Sequence, residues 1–160
     1  MNAIGRTFLD DSRAFLTRSY VPMIERCVAA LTEEQVWSRT NDASNSIGNL
    51  ILHLTGSSRY WALEVIEKRS IGRVRQLEFD RREPIPPARL LEDLRAAMAE
   101  VDGALAGLPP DTLLEPRTGR GEQMTVLWCV YHIVEHFGYH TGQILTMTKA
   151  MVGDVKVEST

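Results

Sequence analysis

The four histidines of this 160-residue chain are the side chains whose types and spacing could do chemistry. His132, His136 and His140 follow one another at four-residue intervals in the segment YHIVEHFGYHTGQI. Because residues i and i+4 of an α-helix lie on the same face, these imidazoles form one stripe. Two neighbours in the stripe can share a metal ion, whereas the outer two are about 12 Å apart along the helix axis. His136 belongs to either possible pair, 132/136 or 136/140.

A third ligand must come from another helix, and His53 is the remaining histidine. Three neutral imidazoles with one open position form the ligand set of a catalytic zinc site. The pattern predicts a divalent transition metal, with zinc or nickel favoured and manganese or iron as alternatives, because imidazole suits several such ions. Between Gln123 and Lys149 the only other charged side chain is Glu135. Burying unpaired histidines in so apolar a helix would be costly.

The elements that must position these histidines are helical nearly throughout. Apolar residues at three- and four-residue spacings predict long helices, and Thr32 to Gln35 match a capping box. The predicted long helices cover residues 4–31, 46–67, 87–108 and 123–151. A kink or break is expected near Tyr20, because Pro22 lacks an N–H group and clashes with the preceding turn. Four long helices with two substantial connections predict an all-α four-helix bundle, in one domain over residues 1–160.

The two longer connections, residues 72–87 and 111–122, are predicted as loops, and no alternating pattern predicts a strand. The charged run at 71–82 is typical of a solvated connection. The basic segment RTGRG, at 117–121, precedes the fourth helix. An anion can meet the N-terminus of a helix at such a position.

The composition is that of a soluble globular domain, with 44% hydrophobic and 24% charged residues. The net charge of −3 favours neither nucleic acid nor an anionic membrane as a partner. No apolar run is long enough to span a bilayer, and the first residues lack a signal-peptide pattern. Cys27 and Cys129 are too far apart for a CxxC motif and are predicted as small core residues. A reducing cytoplasm is the expected location.

Two helical segments together carry a family resemblance: NSIGNLILHLTGSSRYW at 45–61 and YHIVEHFGYHTGQI at 131–144. Their pairing resembles the DinB/YfiT-like superfamily, and within it a DinB-like branch. The segments LTEEQVW and RREPIPPARLLEDLRA extend the resemblance over most of the chain. It implies a four-helix bundle, commonly a homodimer, with a divalent metal on one histidine of the second helix and an HxxxH pair of the fourth. The implied ligands are His53, His136 and His140.

The same resemblance implies a class of activity. Some members of the superfamily are metal-dependent thiol transferases or isomerases that use glutathione, mycothiol or bacillithiol. The expectation is therefore an S-transferase that activates a low-molecular-weight thiol toward a small-molecule substrate. A hydrolase that activates water, and a metal- or ligand-binding protein without turnover, are the alternatives.

Several residues near the implied ligands have open roles. Asn49, Tyr60 and Gln143 are candidate catalytic helpers at the open coordination position. His132 is extra to the three ligands and would be an outer-sphere, substrate-facing or packing residue. Thr141 stands where many relatives have Arg, which removes a possible anion-binding cation. Cys129, on the histidine face, is an alternative ligand but fits the core better.

The fourth helix is also apolar opposite its histidines, at Leu127, Val134 and Leu145. A bundle helix normally presents a polar face to water, so this face predicts a partner. A second copy of the chain is the simplest partner, which predicts a homodimer. Coverage by the long loops of the same chain is the alternative.

Overall fold

A computed structural model describes residues 2–155, so that residue 1 and residues 156–160 at the ends of the predicted domain lie outside it. The α-helices of this range are α1 (Ala3–Ala14), α2 (Val21–Ala29), α3 (Glu33–Trp37), α4 (Ile47–Arg59), α5 (Arg75–Asp80), α6 (Pro87–Gly107) and α7 (Val126–Val152). Two π-helical turns cover Phe15–Tyr20 and Tyr60–Ile66, and a 3₁₀ turn covers Pro110–Thr112. Strands β1 (Pro116–Gly119) and β2 (Glu122–Thr125) complete the list. The predicted all-α class is confirmed.

Four long helical segments surround one core. The first runs from α1 through Phe15–Tyr20 into α2, and the second runs from α4 through Tyr60–Ile66. Each of these two packs against both α6 and α7. The core between them contains fully buried side chains from every segment, among them Leu9, Ile24, Leu54, Leu94 and Val130. This packing places α4 beside α7, so that the two histidine-bearing helices are neighbours.

Of the predicted kink or break near Tyr20, the break is wrong, because the first long segment continues as a helix through Pro22. The chain passes through the π-helical turn Phe15–Tyr20 immediately before it, and the Val21 N–H donates to the Leu16 carbonyl. This i→i−5 bond widens the helix at the point where the proline ring would meet the preceding turn. The helix therefore continues through the proline instead of ending at it.

Side-chain caps fix where the shorter segments begin. Thr32 and Gln35 form the predicted capping box at α3, and Ser46 and Asn49 form a second one at α4. Each box satisfies two backbone N–H groups that the first turn of a helix leaves unpaired. The boundary of α4 is thereby set about two turns ahead of His53.

Two predicted loops contain regular structure. The 111–122 loop forms part of an antiparallel hairpin in which Gly119 pairs with Glu122 and Pro116 pairs with Thr125. Its turn, Arg120–Gly121, has φ values of 51° and 83°. Strands of four residues are too short to show a two-residue alternation, and Arg-Gly is not the usual Asn-Gly signal for such a turn. The 72–87 connection contains α5, and α5 packs against α4.

Candidate metal centre

Three imidazoles from two helices converge on one point. His53 lies on α4, whereas His136 and His140 lie one turn apart on α7. The His136 Nε2 atom is 3.1 Å from His53 Nε2 and 3.2 Å from His140 Nε2. One ligand atom from each residue lies within 4.8 Å of the others. Nitrogen ligands around a tetrahedral zinc ion are about 3.3 Å apart, since each Zn–N bond is about 2.0–2.1 Å. The three residues could therefore hold a metal ion, and of the two possible pairs it is 136/140 that lies together with His53.

A carboxylate orients the first imidazole. His53, which is 3% exposed, has its Nδ1 atom 2.9 Å from Glu78 Oε2. Because an ionised carboxylate only accepts hydrogen bonds, Nδ1 carries the hydrogen and Nε2 keeps its lone pair toward the other histidines. Carboxylate–histidine pairs of this kind fix the ring and the tautomer of metal-binding histidines.

Glu78 is itself held by a buried guanidinium. Arg73 Nε lies 2.6 Å from Glu78 Oε1, and Arg73 Nη2 lies 2.8 Å from Oε2. The side chains of Arg73 and Glu78 are 8% and 11% exposed. Burial opposes ionisation of Glu78, but hydrogen bonds from Arg73 and His53 outweigh it and lower the pKa of the carboxyl. Glu78 is thus a fixed negative charge behind His53.

Gly56 makes room for this carboxylate. A Cβ atom at Gly56 would lie 2.1 Å from Glu78 Oε1 and 3.0 Å from Arg73 Nε. No side chain can therefore occupy this position of α4 without displacing the Arg73–Glu78 pair. The close approach of α5 to α4 depends on a glycine one turn after His53.

An amide orients the third imidazole. Gln143 Oε1 lies 3.0 Å from His140 Nδ1, one turn further along α7. An Nδ1–H donated to this oxygen leaves His140 Nε2 directed toward His136. Gln143, predicted as a catalytic helper, thus contacts a candidate ligand and is placed to orient it.

The site favours neutral imidazoles. Burial, together with the neighbouring His140 and His53, lowers the pKa of His136 to about 3. Burial also lowers the pKa of His140. A hydrogen on His136 Nε2 can be donated to His53 Nε2 or to His140 Nε2, but not to both. A cation between the three rings would accept the Nε2 lone pairs of all three histidines. The donor set therefore fits a transition metal better than it fits protons.

His132 lies beside the centre without joining it. Its ring stacks on Trp128, with the centroids 4.9 Å apart and the planes at 17°, and meets Trp61 edge-on at 5.2 Å. Its centroid is 5.3 Å from that of His136, and its Nδ1 lies 3.4 Å from Glu135 Oε2. Burial lowers the pKa of His132. Of the three predicted roles, the aromatic contacts support packing, while its partial exposure leaves substrate contact open.

The other two predicted helpers have different environments. Asn49 is buried, and its Nδ2 donates to the backbone carbonyls of Glu78 and Arg81 at 2.8 and 3.1 Å. Its amide anchors the α5 segment, so it is not available as a helper at the open coordination position. The Tyr60 hydroxyl accepts a hydrogen bond of 3.0 Å from the backbone N–H of Arg120 at the hairpin turn. Tyr60 therefore joins the π-helical turn after α4 to the hairpin.

Both cysteines are buried in the core, as predicted. Burial raises the pKa of Cys129 to about 11 and also raises the pKa of Cys27. A protonated, enclosed thiol is neither a nucleophile nor a ligand at neutral pH. Thr141, beside His140, is 2% exposed and lies inside the protein.

The sequence reasoning missed Arg73, Glu78 and Gly56. Arg73 and Glu78 fall in the charged run predicted as a solvated connection, and that prediction is wrong for these two side chains. Their five-residue spacing matches no helical rule, and α5 has only six residues. A metal-binding histidine almost always donates its other ring N–H to an acceptor such as a carboxylate. That rule could have predicted a carboxylate beside His53.

Comparisons with known proteins agree with this architecture. A profile of the DinB superfamily matches residues 21–144, which include all three converging histidines. A search of curated proteins found no match. In residues 2–155 no helix has both the length and the apolar character needed to cross a membrane. Since the profile covers most of the 160 residues, the chain belongs to the DinB superfamily.

Proposed function

We propose that this chain is a metal-dependent thiol S-transferase that holds one divalent transition metal on His53, His136 and His140. The observation that carries this proposal is the convergence of three Nε2 atoms, two of them on rings whose Nδ1 atoms contact Glu78 and Gln143. Zinc or nickel is the preferred ion, with manganese or iron as alternatives, because the donors are all imidazole nitrogens. When bound, such an ion lowers the pKa of a coordinated thiol and supplies a thiolate at neutral pH.

The carboxylates around the centre favour a thiol over water. A metal-dependent hydrolase commonly needs a free carboxylate as general base, as in the zinc peptidases. Within the described part of the chain, Glu78 is the carboxylate that hydrogen-bonds to one of the three histidines, and it is occupied by Arg73 and His53. A thiol needs no such base, because it is acidic enough to ionise on coordination. The hydrolase is therefore the second candidate.

The surrounding residues have distinct tasks in this proposal. Glu78 and Gln143 orient imidazoles, and the neutral His136 and His140 keep their lone pairs available for a cation. Trp128, which is 42% exposed, and the stacked His132 form an aromatic wall beside the centre, and the buried Trp61 packs behind them. A small electrophilic substrate with an apolar part would be held against this wall, next to the thiol.

The test is a comparison of thiol transfer with water-dependent turnover. Zinc- or nickel-loaded protein is given glutathione, mycothiol or bacillithiol with a nitro-activated aromatic chloride, which releases chloride when the sulfur bonds to the ring. An activated ester without thiol is given separately. The proposal predicts thioether formation that disappears on chelation and in His136→Ala, and that persists in Asp80→Asn, a matched change on α5 outside the centre. Ester hydrolysis without a thiol requirement would instead identify a hydrolase. Tight thiol binding without any product would identify a binding protein.

We also propose that the chain acts as a cytoplasmic homodimer. The predicted apolar face of α7 is covered in part by the chain itself, since Val134 and Leu145 pack against the core. Leu127, Tyr131 and Tyr139 remain 38%, 58% and 68% exposed on α7. Two-fold pairing through these side chains would cover them in a self-complementary contact.

A further inference from the structure

The hairpin turn beside the metal centre carries an unexpected cation. Arg120 has φ 51° and is followed by Gly121 at φ 83°. Left-handed backbone is unfavourable for a residue with a Cβ atom, and two-residue hairpin turns of this type ordinarily use Asn, Asp or Gly. A residue that keeps such a conformation against its preference is a candidate for a functional role.

Three contacts fix the hairpin on the π-helical turn that follows α4. The backbone N–H of Arg120 donates to the Tyr60 hydroxyl at 3.0 Å, and Arg117 Nε donates to the Ile66 carbonyl at 3.2 Å. Gly119 allows β1 to lie on Trp61, since a Cβ there would be 2.6 Å from Trp61 Cζ3. The position of the Arg120 side chain is therefore set by the same helix that carries His53.

The guanidinium of Arg120 lies over the aromatic residues that border the centre. Its Cζ atom is 5.9 Å from the Tyr60 ring centroid and 5.2 Å from that of Trp61. Trp61 in turn contacts His132 at 5.2 Å, and His132 contacts His136 at 5.3 Å. Arg120 is exposed and has no carboxylate within 4.0 Å among residues 2–155. It is thus a free cation beside the candidate ligands.

Positive charge is in excess on this side of the molecule. The Arg73 Cζ atom is 5.6 Å from the centroid of the Tyr60 ring, which Arg120 also contacts. The guanidinium of Arg75 lies over the ring of Phe79, and that ring contacts His53. Partial desolvation and the charges of Arg73 and Arg75 lower the pKa of Arg120, although a guanidinium remains protonated at neutral pH. Glu78 offsets one of these three charges and Glu135, beside His132, offsets a second, which leaves one positive charge in excess. A local excess of positive charge, in a chain whose net charge is −3, attracts anionic ligands to the surface between the hairpin turn and the metal centre.

We propose that Arg120 binds an anionic group, a carboxylate or a phosphate, of the small molecule whose other end occupies the open position of the metal centre. The inference rests on the proposed metal centre and adds the class of substrate that it accepts. The planar guanidinium pairs with two oxygen atoms of such a group, and the exposed Trp128 ring, with the stacked His132, contacts the apolar part between its ends.

The test uses thiols that differ only at the end remote from sulfur. Cobalt(II)-loaded protein is titrated with 3-mercaptopropionate, 3-mercaptopropylphosphonate and the neutral 3-mercaptopropanol, and binding is followed by the sulfur-to-cobalt absorption band. The main variant is Arg120→Asn, because Asn suits a left-handed turn and removes the charge without straining the hairpin. Arg120→Lys retains the charge. Arg89→Gln is the matched control, since Arg89 is exposed and pairs with Glu92 and Asp93 of its own helix.

The expected result is that anionic thiols bind at least about tenfold more tightly than the alcohol, as a hydrogen-bonded charge pair would provide. Arg120→Asn abolishes this ratio without weakening the alcohol, Arg120→Lys keeps part of it, and Arg89→Gln leaves it unchanged. Preference for the carboxylate or for the phosphonate identifies which anion the substrate carries. An unchanged ratio in Arg120→Asn, or equal binding of anionic and neutral thiols by the parent protein, would overturn the inference.

Failure of the thiol function is distinguished by ligands that bind metals through oxygen. If no thiol binds, the comparison is repeated with the monohydroxamate of succinate and with butyrohydroxamate. A preference for the anionic hydroxamate that Arg120→Asn removes would support the anion site while rejecting thiol transfer. The absence of such a preference would reject the anion site as well.

Discussion

Glu78 is the residue on which the geometry of the centre depends most, apart from the histidines themselves. Its carboxylate joins His53 to the buried Arg73 guanidinium. Replacement by Gln weakens both contacts, because the amide is neutral and has one acceptor. We expect Glu78→Gln to lower metal affinity by about 10- to 100-fold, the usual effect of losing the partner behind a ligating histidine.

The measurement is a competition titration against a fluorescent zinc chelator. Asp80→Asn is the control, because Asp80 lies on the same short helix and, among residues 2–155, its carboxylate is hydrogen-bonded only to the exposed Gln76. Two-dimensional NMR of the imidazole nitrogens gives an independent readout, in which the hydrogen of His53 moves away from Nδ1 in part of the Glu78→Gln molecules. Equal affinities of the two variants would show that Glu78 does not position His53.

The depressed pKa values of the histidines predict how the stability of the metal-free protein depends on pH. The pKa of His136 falls from 6.5 to about 3, mainly through burial. Below about pH 6.5, His136 is protonated in the unfolded chain, whereas in the folded protein it stays neutral down to about pH 3. The contribution of the neutral His136 to the free energy of unfolding is therefore fully present above about pH 6.5 and is lost as the pH falls below that value. The urea midpoint of metal-free protein should be lower at about pH 5 than at about pH 7, with a shallower dependence in His136→Gln.

At the scale of elements, the approach of α5 to α4 makes Gly56 sensitive to substitution. In Gly56→Ala the new methyl group would occupy the place of Glu78 Oε1. We expect α5 to shift and the metal affinity to fall as in Glu78→Gln, even though Ala is the better helix former. Gly103→Ala on α6 is the matched control, because a Cβ there meets nothing within 4 Å.

The two glycine variants are expected to differ in metal affinity, which falls only in Gly56→Ala. Gly103→Ala should raise the free energy of unfolding by about 0.5–1 kcal/mol, as Ala replaces Gly in a helix interior, and leave metal affinity unchanged. Both quantities are read from urea denaturation and zinc titration. Normal zinc binding by Gly56→Ala would contradict the placement of Glu78 against α4.

The elements also show what the sequence could predict. Helical periodicity located the four long segments, and the four-residue spacing of the histidines placed them on one face of α7. That spacing left the pairs 132/136 and 136/140 equivalent. The packing of α7 against α4 decides between them, and helical periodicity does not define this long-range contact. The residues behind the ligands were missed because α5 and the hairpin are short elements, fixed by contacts with α4 rather than by their own patterns.

Pro22 is the clearest case of a local rule that its surroundings modify. Proline in a helix interior predicts a break, because it removes one hydrogen bond and clashes with the previous turn. In this molecule the segment that contains it packs against both α6 and α7, and a π-helical turn absorbs the proline without ending the helix. The apolar contacts on both sides favour continuation of the helix.

At the scale of the whole molecule, the exposed side chains of α7 predict self-association. Sedimentation velocity at micromolar concentration should give a dimer, and Tyr131→Glu should shift it toward the monomer by placing a charge among apolar side chains. Arg89→Gln, a change at an exposed residue of α6 that pairs within its own helix, should leave the dimer intact. A monomer for the unmodified chain at these concentrations would reject the homodimer.

The central claim concerns the metal, and metal content per chain tests it most directly. Protein purified without a histidine tag or chelator is analysed by elemental mass spectrometry, beside the four single histidine-to-alanine variants. The account predicts about one divalent transition ion per chain, lost in the variants of His53, His136 and His140 and retained in His132→Ala. Absence of metal after incubation with zinc, nickel and manganese, or equal loss in all four variants, would contradict it.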